Sequence, residues 1–211
     1  MKYPKIQTLW KRDENKKFTI IEGDFSKDEF ASIDKWEVTE KIDGTNIRIF
    51  WNGETVNFGG RTDNAQIPTF LLDMLQKTFT ADKFKEVFPD SNNVIMFGEG
   101  YGQKIQSVGK KYRKDNGLIL FDVVVDNWWL KRTAVNDIAE KFRIKSVPIV
   151  GIMSKEEIIN YVKSKPKSTV SEEDLTIEGV VVRSHPLMLF RDSSPIMFKL
   201  KVSDYEKLQR L

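Results

Sequence analysis

The chain of 211 residues contains no cysteine and a single histidine, His185. Without cysteine there are no disulfides, thiolate zinc sites, iron–sulfur clusters or cysteine nucleophiles. One histidine also rules out two-histidine metal sites, and His185, just before Pro186 in a turn-like stretch, reads as a surface residue, so a histidine-dependent triad is not expected. Chemistry here has to run on lysine, arginine, carboxylates and a hard, oxygen-liking cation such as magnesium. No apolar run approaches the roughly 20 residues that cross a bilayer, and the N-terminus lacks a signal-peptide pattern, which predicts a cytoplasmic protein with no membrane partner. There is no Gly-x4-Gly-Lys-Ser/Thr loop, and Gly98-Glu99-Gly100-Tyr101-Gly102 lacks the spacing of a dinucleotide fingerprint, so neither a P-loop enzyme nor a Rossmann protein is supported.

Repeats, low-complexity segments and composition shifts are absent too. The simplest organisation is therefore a single α+β domain over residues 1–211, dominated by antiparallel sheet. The net charge of +3 is too small to announce a nucleic-acid binder. Charge is locally crowded, however: Lys104, Lys110, Lys111, Arg113 and Lys114 share one segment with Tyr101 and Tyr112. That segment is either a solvated loop or a phosphate-contacting surface.

Along the chain, residues 1–34 read as a strand or two with loops. Residues 36–41, 45–51 and 54–58 read as three successive strands, with turns at Asp43-Gly44 and Asn52-Gly53. Apolar positions from Phe70 to Phe88 recur at helical spacing, predicting one helix or two short ones. Strands follow over 93–100 and 117–125, then Trp128 and Trp129 in a turn, read as packing residues. An amphipathic helix is expected over 133–143 and a strand over 147–152. Ser154 and Glu157 form a capping box for a helix over 155–163. After a polar loop at 163–168 come strands at 177–183 and 196–202, and a short helix from 203.

Lys41 stands out in this pattern. It ends one strand at the mouth of the expected hairpin, beside Ile42-Asp43-Gly44. A lysine attacks only as the free amine, and with an ordinary pKa of about 10.4 roughly one molecule in 2,500 is neutral at pH 7. Making neutrality the norm takes on the order of 4–5 kcal/mol from neighbouring cations, a metal ion or desolvation. A catalytic Lys41 therefore predicts other positive groups beside it, whereas a plain hairpin turn with a solvated strand end predicts none.

Two later strands bear on that choice. In Phe198-Lys199-Leu200-Lys201 the period of two puts both lysines on one face, either in solvent or aimed into a cleft. In Glu178-Gly179-Val180-Val181-Val182 a carboxylate precedes an apolar strand, as a metal ligand or an exposed first residue.

In order along the chain, Lys41-Ile42-Asp43-Gly44, Gly60-Arg61, Phe97-Gly98-Glu99, Leu120-Phe121-Asp122, Glu178-Gly179-Val180-Val181 and Lys199-Leu200-Lys201 resemble the six motifs of the covalent nucleotidyltransferases, the superfamily of ATP-dependent ligases and mRNA capping enzymes. The chain is most similar to RNA ligases of the phage T4 RNA ligase 2 type, over about residues 36–202, and the opening Tyr3-Pro4-Lys5-Ile6 shares the likeness. The resemblance implies an α+β fold of mainly antiparallel sheets flanked by helices, an ATP-grasp-like nucleotidyltransferase domain without an OB-fold.

It also implies roles. Lys41 attacks the α-phosphate of ATP and becomes a lysyl-AMP phosphoramidate, releasing pyrophosphate. Glu99 bonds the ribose hydroxyls and Phe121 stacks on adenine. Lys199 and Lys201 grip the α-phosphate and supply the neighbouring cations that the amine requires. Glu178 helps to place a divalent cation, Mg2+ or Mn2+. Asp43 and Gly44 shape the turn, with Asp43 extending to the metal or the nick. Arg61 and Asn46 handle the 5′-phosphate and the 3′ end, and Glu40 faces the nucleotide. AMP then passes to an RNA 5′-phosphate, and a 3′-hydroxyl displaces it to form the phosphodiester.

Only ten residues follow Lys201. On that count the C-terminal domain of larger ligases is expected to be absent, and grip on RNA ends, nicks or duplex falls to this domain's own surface, with segment 104–114 a candidate. A chain of this size fits a viral or phage-like origin by analogy, which would place it in a host cytoplasm. The alternatives are a minimal DNA ligase, a capping-type guanylyltransferase, or a non-catalytic nucleic-acid-binding module. The sequence names no protein partner.

Overall fold

The computed structural model describes residues 1–16 and 19–208. Contacts gather into two compact units, one from Met1–Tyr3, Asp43–Val147 and Ser171–Glu173, the other from Pro4–Ile42, Pro148–Val170 and Asp174–Leu211. The fold is α+β, with mainly antiparallel sheets, seven helices and no closed barrel among the described residues.

The first unit holds a six-stranded sheet ordered Lys145–Ser146, Asn116–Val125, Val94–Gly102, Thr45–Trp51 and Val56–Gly59, with Trp128–Trp129 paired onto Asn116–Val125. Every pairing is antiparallel except that of Lys145–Ser146. Alternation in Thr45–Trp51 sends Ile47, Ile49 and Trp51 to one face, where they are buried with Val94, Met96 and Leu120. Helices Thr69–Thr78, Ala81–Val87 and Arg132–Lys141 contribute Leu71, Leu75, Phe84, Val135 and Ile138 to the same core. Phe84 stacks on Trp51 with centroids 5.4 Å apart.

The second unit holds a five-stranded sheet ordered Gln7–Thr8, Met197–Lys201, Gly179–Ser184, Trp36–Lys41 and Ile149–Met153. Gln7–Thr8 runs parallel to Met197–Lys201 and the other pairs are antiparallel. Its core face carries Trp36, Val38, Val180, Val182, Phe198 and Leu200, all fully buried. Each such side chain contributes about 1.5–3 kcal/mol of burial, which fixes the register of the three central strands. The helix Lys155–Lys163 starts with the expected capping box: the Glu157 N–H donates to Ser154 Oγ and the Ser154 N–H to Glu157 Oε2. A ribbon of Trp10–Asp13 with Thr19–Phe25, and helices Asp28–Ser32 and Val202–Leu208, complete the unit.

The largest departure from the sequence reading is at Asp43-Gly44. The flanking strands Trp36–Lys41 and Thr45–Trp51 do not form a hairpin; each pairs in a different sheet. Both strands are hydrogen-bonded on two sides, so neither has a free edge for the other. The turn at Asn52-Gly53 holds: Gly53 has φ +93°, and Asn52 Oδ1 accepts N–H groups from Glu54 and Thr55. Trp128, expected to pack, is 74% exposed, while Trp129 stacks on Phe97. No helix among the described residues is long and apolar enough to cross a membrane.

Candidate active site

On the strand Trp36–Lys41 the alternation of side chains separates two neighbours. Glu37, Thr39 and Lys41 point to one face of the second unit's sheet, and Val38 and Glu40 to the core face. The pairing register carries this across three strands: Lys41 lies opposite Gly179, and Gly179 opposite Lys201. The next rung on that face runs Thr39, Val181, Lys199, with Thr8 beside Lys199. Both lysines of the last strand therefore share the face of Lys41.

Glu178 closes the group. Its Oε2 receives Lys41 Nζ at 2.6 Å and its Oε1 receives Lys201 Nζ at 2.6 Å. The Val202 N–H donates to the Glu178 carbonyl at 3.0 Å, fixing the backbone from which that carboxylate projects. With 17% of its side chain exposed, Glu178 is sheltered but not sealed from solvent, so these are partly screened ion pairs. Gly179 makes the arrangement feasible: a Cβ there would lie 2.0 Å from the Leu200 oxygen and 2.7 Å from Lys201 Cα. A side chain on the middle strand would push the third strand away.

Glu40 is placed differently from the sequence expectation. Its carboxylate is buried on the face opposite Lys41, where it receives Ser168 Oγ, the Thr169 N–H at 3.1 Å and Thr169 Oγ1 at 3.2 Å. Its acceptor sites bind the 168–169 loop.

The remaining candidates lie in the first unit. The Asp43 N–H donates to Tyr112 Oη at 3.3 Å. Gly44 is required by close approach, since a Cβ would lie 2.3 Å from the Gly100 oxygen and 2.8 Å from Glu99 Cγ. Asn46 and Glu99 are direct cross-strand partners, and the Asn46 Oδ1 is buried without a hydrogen-bond partner among the described residues. Phe121 occupies the extra position of a β-bulge opposite Phe97 and Gly98. It is half-buried, edge-on to Tyr3 at 4.9 Å, and its carbonyl receives Arg132 Nη1 at 2.5 Å. Arg61 is exposed in the turn after Gly60.

Three supporting residues were given no role by the sequence reading. Arg48 is buried, donating to the Gly60 carbonyl at 2.6 Å and to Asp63 at 3.0 Å, and so anchors the turn that carries Arg61. Tyr3 Oη donates to Asp122 Oδ2 at 2.5 Å beside the bulge. Arg183 pairs with Glu37 at 3.1 Å on the Lys41 face. Period-two alternation was the available signal for Arg48, but it cannot tell a solvated face from one covered by a loop.

In segment 104–114, Lys104, Lys110 and Lys114 are exposed, but Arg113 pairs with Asp115 at 2.5 Å, and Tyr101 and Tyr112 are 1% exposed. No aromatic face is offered there for base stacking. Among the described residues no three His, Asp or Glu side chains cluster as metal ligands. Glu178 is a hard carboxylate donor within reach of Lys41, which fits magnesium-type binding, where one or two protein carboxylates are completed by substrate phosphates and water.

Residues 34–201 match the sequence model of the RNA ligase family. No curated protein matches the sequence. Among solved structures, a Naegleria gruberi RNA ligase variant with AMP and Mn is similar with TM-score 0.67 and 17% identity, covering 100% of this chain and 58% of that one. Another variant of that ligase with AMP and Mn gives TM-score 0.63 at 18% identity over 87% and 53%, and its complex with pyrophosphate TM-score 0.61 at 18% over 84% and 52%. At these identities the likeness establishes the fold, and the chain spans roughly half to three fifths of those proteins.

Proposed function

The chain belongs to the RNA ligase family, and from that premise we propose that it is an ATP-dependent RNA ligase working through a covalent lysyl-AMP on Lys41. The supporting observation is the carboxylate of Glu178 shared by Lys41 and Lys201, with Lys199 one rung away on the same face. Such a group presents an amine and two further cations to one phosphate.

In the resting protein Lys41 Nζ donates to Glu178 Oε2 at 2.6 Å. To attack, the amine leaves that oxygen and passes a proton to solvent water; the N–P bond to the α-phosphorus forms as the bond to the β-phosphate oxygen breaks, and pyrophosphate departs. Lys199 and Lys201 neutralise the charge gathering on the α-phosphate oxygens, the largest electrostatic demand of the step. Glu99 receives the ribose hydroxyls and Phe121 the adenine face. Glu178 would hold a divalent cation of the Mg2+ or Mn2+ kind, which when bound supplies further neutralisation of phosphate charge. Nucleotide and metal use are supported by the Naegleria gruberi ligase having been solved with ATP and Mn.

AMP is then passed from Lys41 to an RNA 5′-phosphate, and the 3′-hydroxyl displaces it. Arg61 and Asn46 serve these later steps; Asn46 Oδ1, an acceptor without a hydrogen-bond partner among the described residues, suits a donor such as a hydroxyl.

Intact-mass measurement after incubation with ATP and magnesium tests the reading. Wild type should gain one adenylate and Lys41→Ala none. No gain in wild type, or gain from GTP in its place, overturns it.

A further inference from the structure

Beyond the nucleotide chemistry, the second unit carries a half-open cleft of about 610 Å3 whose walls include Lys5, Lys11, Arg12, Lys199, Lys201 and Lys207. Two acidic side chains, Glu14 and Asp204, also line it, so six cations less two carboxylates leave a formal +4, more than the +3 of the whole chain. Three of the cations are committed: Arg12 to Asp204 at 2.8 Å, Lys11 to Asp24 at 2.8 Å and Lys201 to Glu178 at 2.6 Å. Lys5 and Lys207 are exposed and have no ion pair among the described residues. Thr8, on the wall beside Lys199, is 7% exposed and its Oγ1 has no hydrogen-bond partner among the described residues.

A single phosphate group occupies one or two cations. Six spread along one cleft suit a chain of phosphates, and the exposed lysines at its rim suit a polymer that runs on past it. The lining aromatic, Trp10, is 5% exposed, stacks on Phe25 at 4.8 Å and donates its indole N–H to Tyr205. With no free ring for a base, the cleft reads backbone and not sequence. Its wall is also one carboxylate from the nucleophile, since Lys201 and Lys41 share Glu178.

We propose that this cleft docks the phosphodiester backbone of the RNA strand whose end is presented to Lys41, an assignment that rests on the RNA ligase reading above.

The test uses the full chain and a 5′-phosphorylated single-stranded oligoribonucleotide, with binding followed by fluorescence anisotropy over a range of salt. Lys5→Ala/Lys207→Ala should weaken binding about tenfold at moderate salt and flatten the slope of log K against log salt by about 1.4, two contacts at roughly 0.7 each for single strands. Lys77→Ala/Lys85→Ala, which removes equal charge from exposed helix positions of the first unit, should leave affinity and slope within about twofold of wild type. Adenylate gain by mass should be unchanged in both variants. Equal binding by the two double variants overturns the docking assignment. So does a Lys5→Ala/Lys207→Ala protein that binds RNA normally but gains less adenylate, since the cleft would then serve the polyphosphate of ATP. A wild type that gains no adenylate yet loses salt-sensitive RNA binding on the Lys5/Lys207 change sinks the ligase reading and leaves the groove standing.

Discussion

Lys41 and Lys201 hold opposite oxygens of the Glu178 carboxylate, each at 2.6 Å, across a middle strand whose facing residue is Gly179. The carboxylate thus holds the Lys41 amine and the Lys201 cation at one point on the face. Glu178→Gln keeps the shape and removes the charge. Adenylate formation should fall by about a hundredfold, the scale of losing one preorganised electrostatic partner. The rate of adenylate gain by mass checks this, and an unchanged rate would show that the carboxylate is not used.

Gly179→Ala should cost both stability and activity. The added Cβ meets backbone, the Leu200 oxygen at 2.0 Å, so relief requires moving the Met197–Lys201 strand and its two lysines. Overpacking of this kind costs about 1–3 kcal/mol. Urea unfolding should report that loss, and adenylate formation should drop in the fraction that remains folded. Full activity in a destabilised Gly179→Ala protein would mean that the lysines are not positioned by this rung.

Glu40 separates the two readings of its strand. If the buried carboxylate holds the 168–169 loop, Glu40→Ala leaves the Ser168 and Thr169 donors without their acceptor, at about 1–3 kcal/mol. Thermal unfolding should shift down while KM for ATP in the folded enzyme stays within about twofold, less than loss of one ground-state hydrogen bond to a nucleotide would give. A large rise in KM without loss of stability would return Glu40 to the nucleotide site.

That contrast marks how far the sequence could be read. The strands at 36–41, 45–51 and 117–125 and the capping box at Ser154 follow from local chemistry: β-branched runs, alternation and a reciprocal side-chain cap. The common face of Lys199 and Lys201 follows from the period of two. Pairing partners do not. Asp43-Gly44 carries hairpin composition, yet Gly44 is there because Glu99 and Gly100 pass close by, a contact between residues far apart in sequence. Arg48 sits at an alternating position that suits solvent, whereas Glu40 falls on the core face of its strand; only the loops at Gly60 and Ser168 show what these buried charges bond to.

Alkaline pH should destabilise the second unit through Tyr205. Burial is the main cause that pushes its phenol up from 10.0 to about 12, opposed by the Trp10 N–H it accepts. Between those values the folded chain keeps a proton that the unfolded chain has lost, so stability is complete below about pH 10 and falls as pH rises toward 12. The loss is of order 2–3 kcal/mol at most. Tyr205→Phe should cost about 1 kcal/mol at neutral pH, where the Trp10 indole loses its acceptor, and should flatten the alkaline fall. Chemical denaturation at a series of pH values checks both signs, and an alkaline slope unaltered by Tyr205→Phe would assign it to another group.

Arg48 should matter to joining more than to adenylation. Its guanidinium holds the Gly60 carbonyl and Asp63 from a buried position, and Arg61 follows directly in that turn. Arg48→Lys keeps the charge but loses the planar fork that reaches two acceptors at once. The Gly60 carbonyl or the Asp63 contact is given up, at about 1–3 kcal/mol, and the turn loosens. If Arg61 handles the RNA 5′-phosphate, Arg48→Lys should form lysyl-AMP at close to the wild-type rate. It should transfer AMP to a 5′-phosphorylated RNA at least about tenfold more slowly, the cost of loosened positioning. Single-turnover transfer from pre-adenylated protein separates the two steps: equal slowing of both would place Arg48 in general folding stability, and no slowing of transfer would detach the Gly60-Arg61 turn from the RNA end.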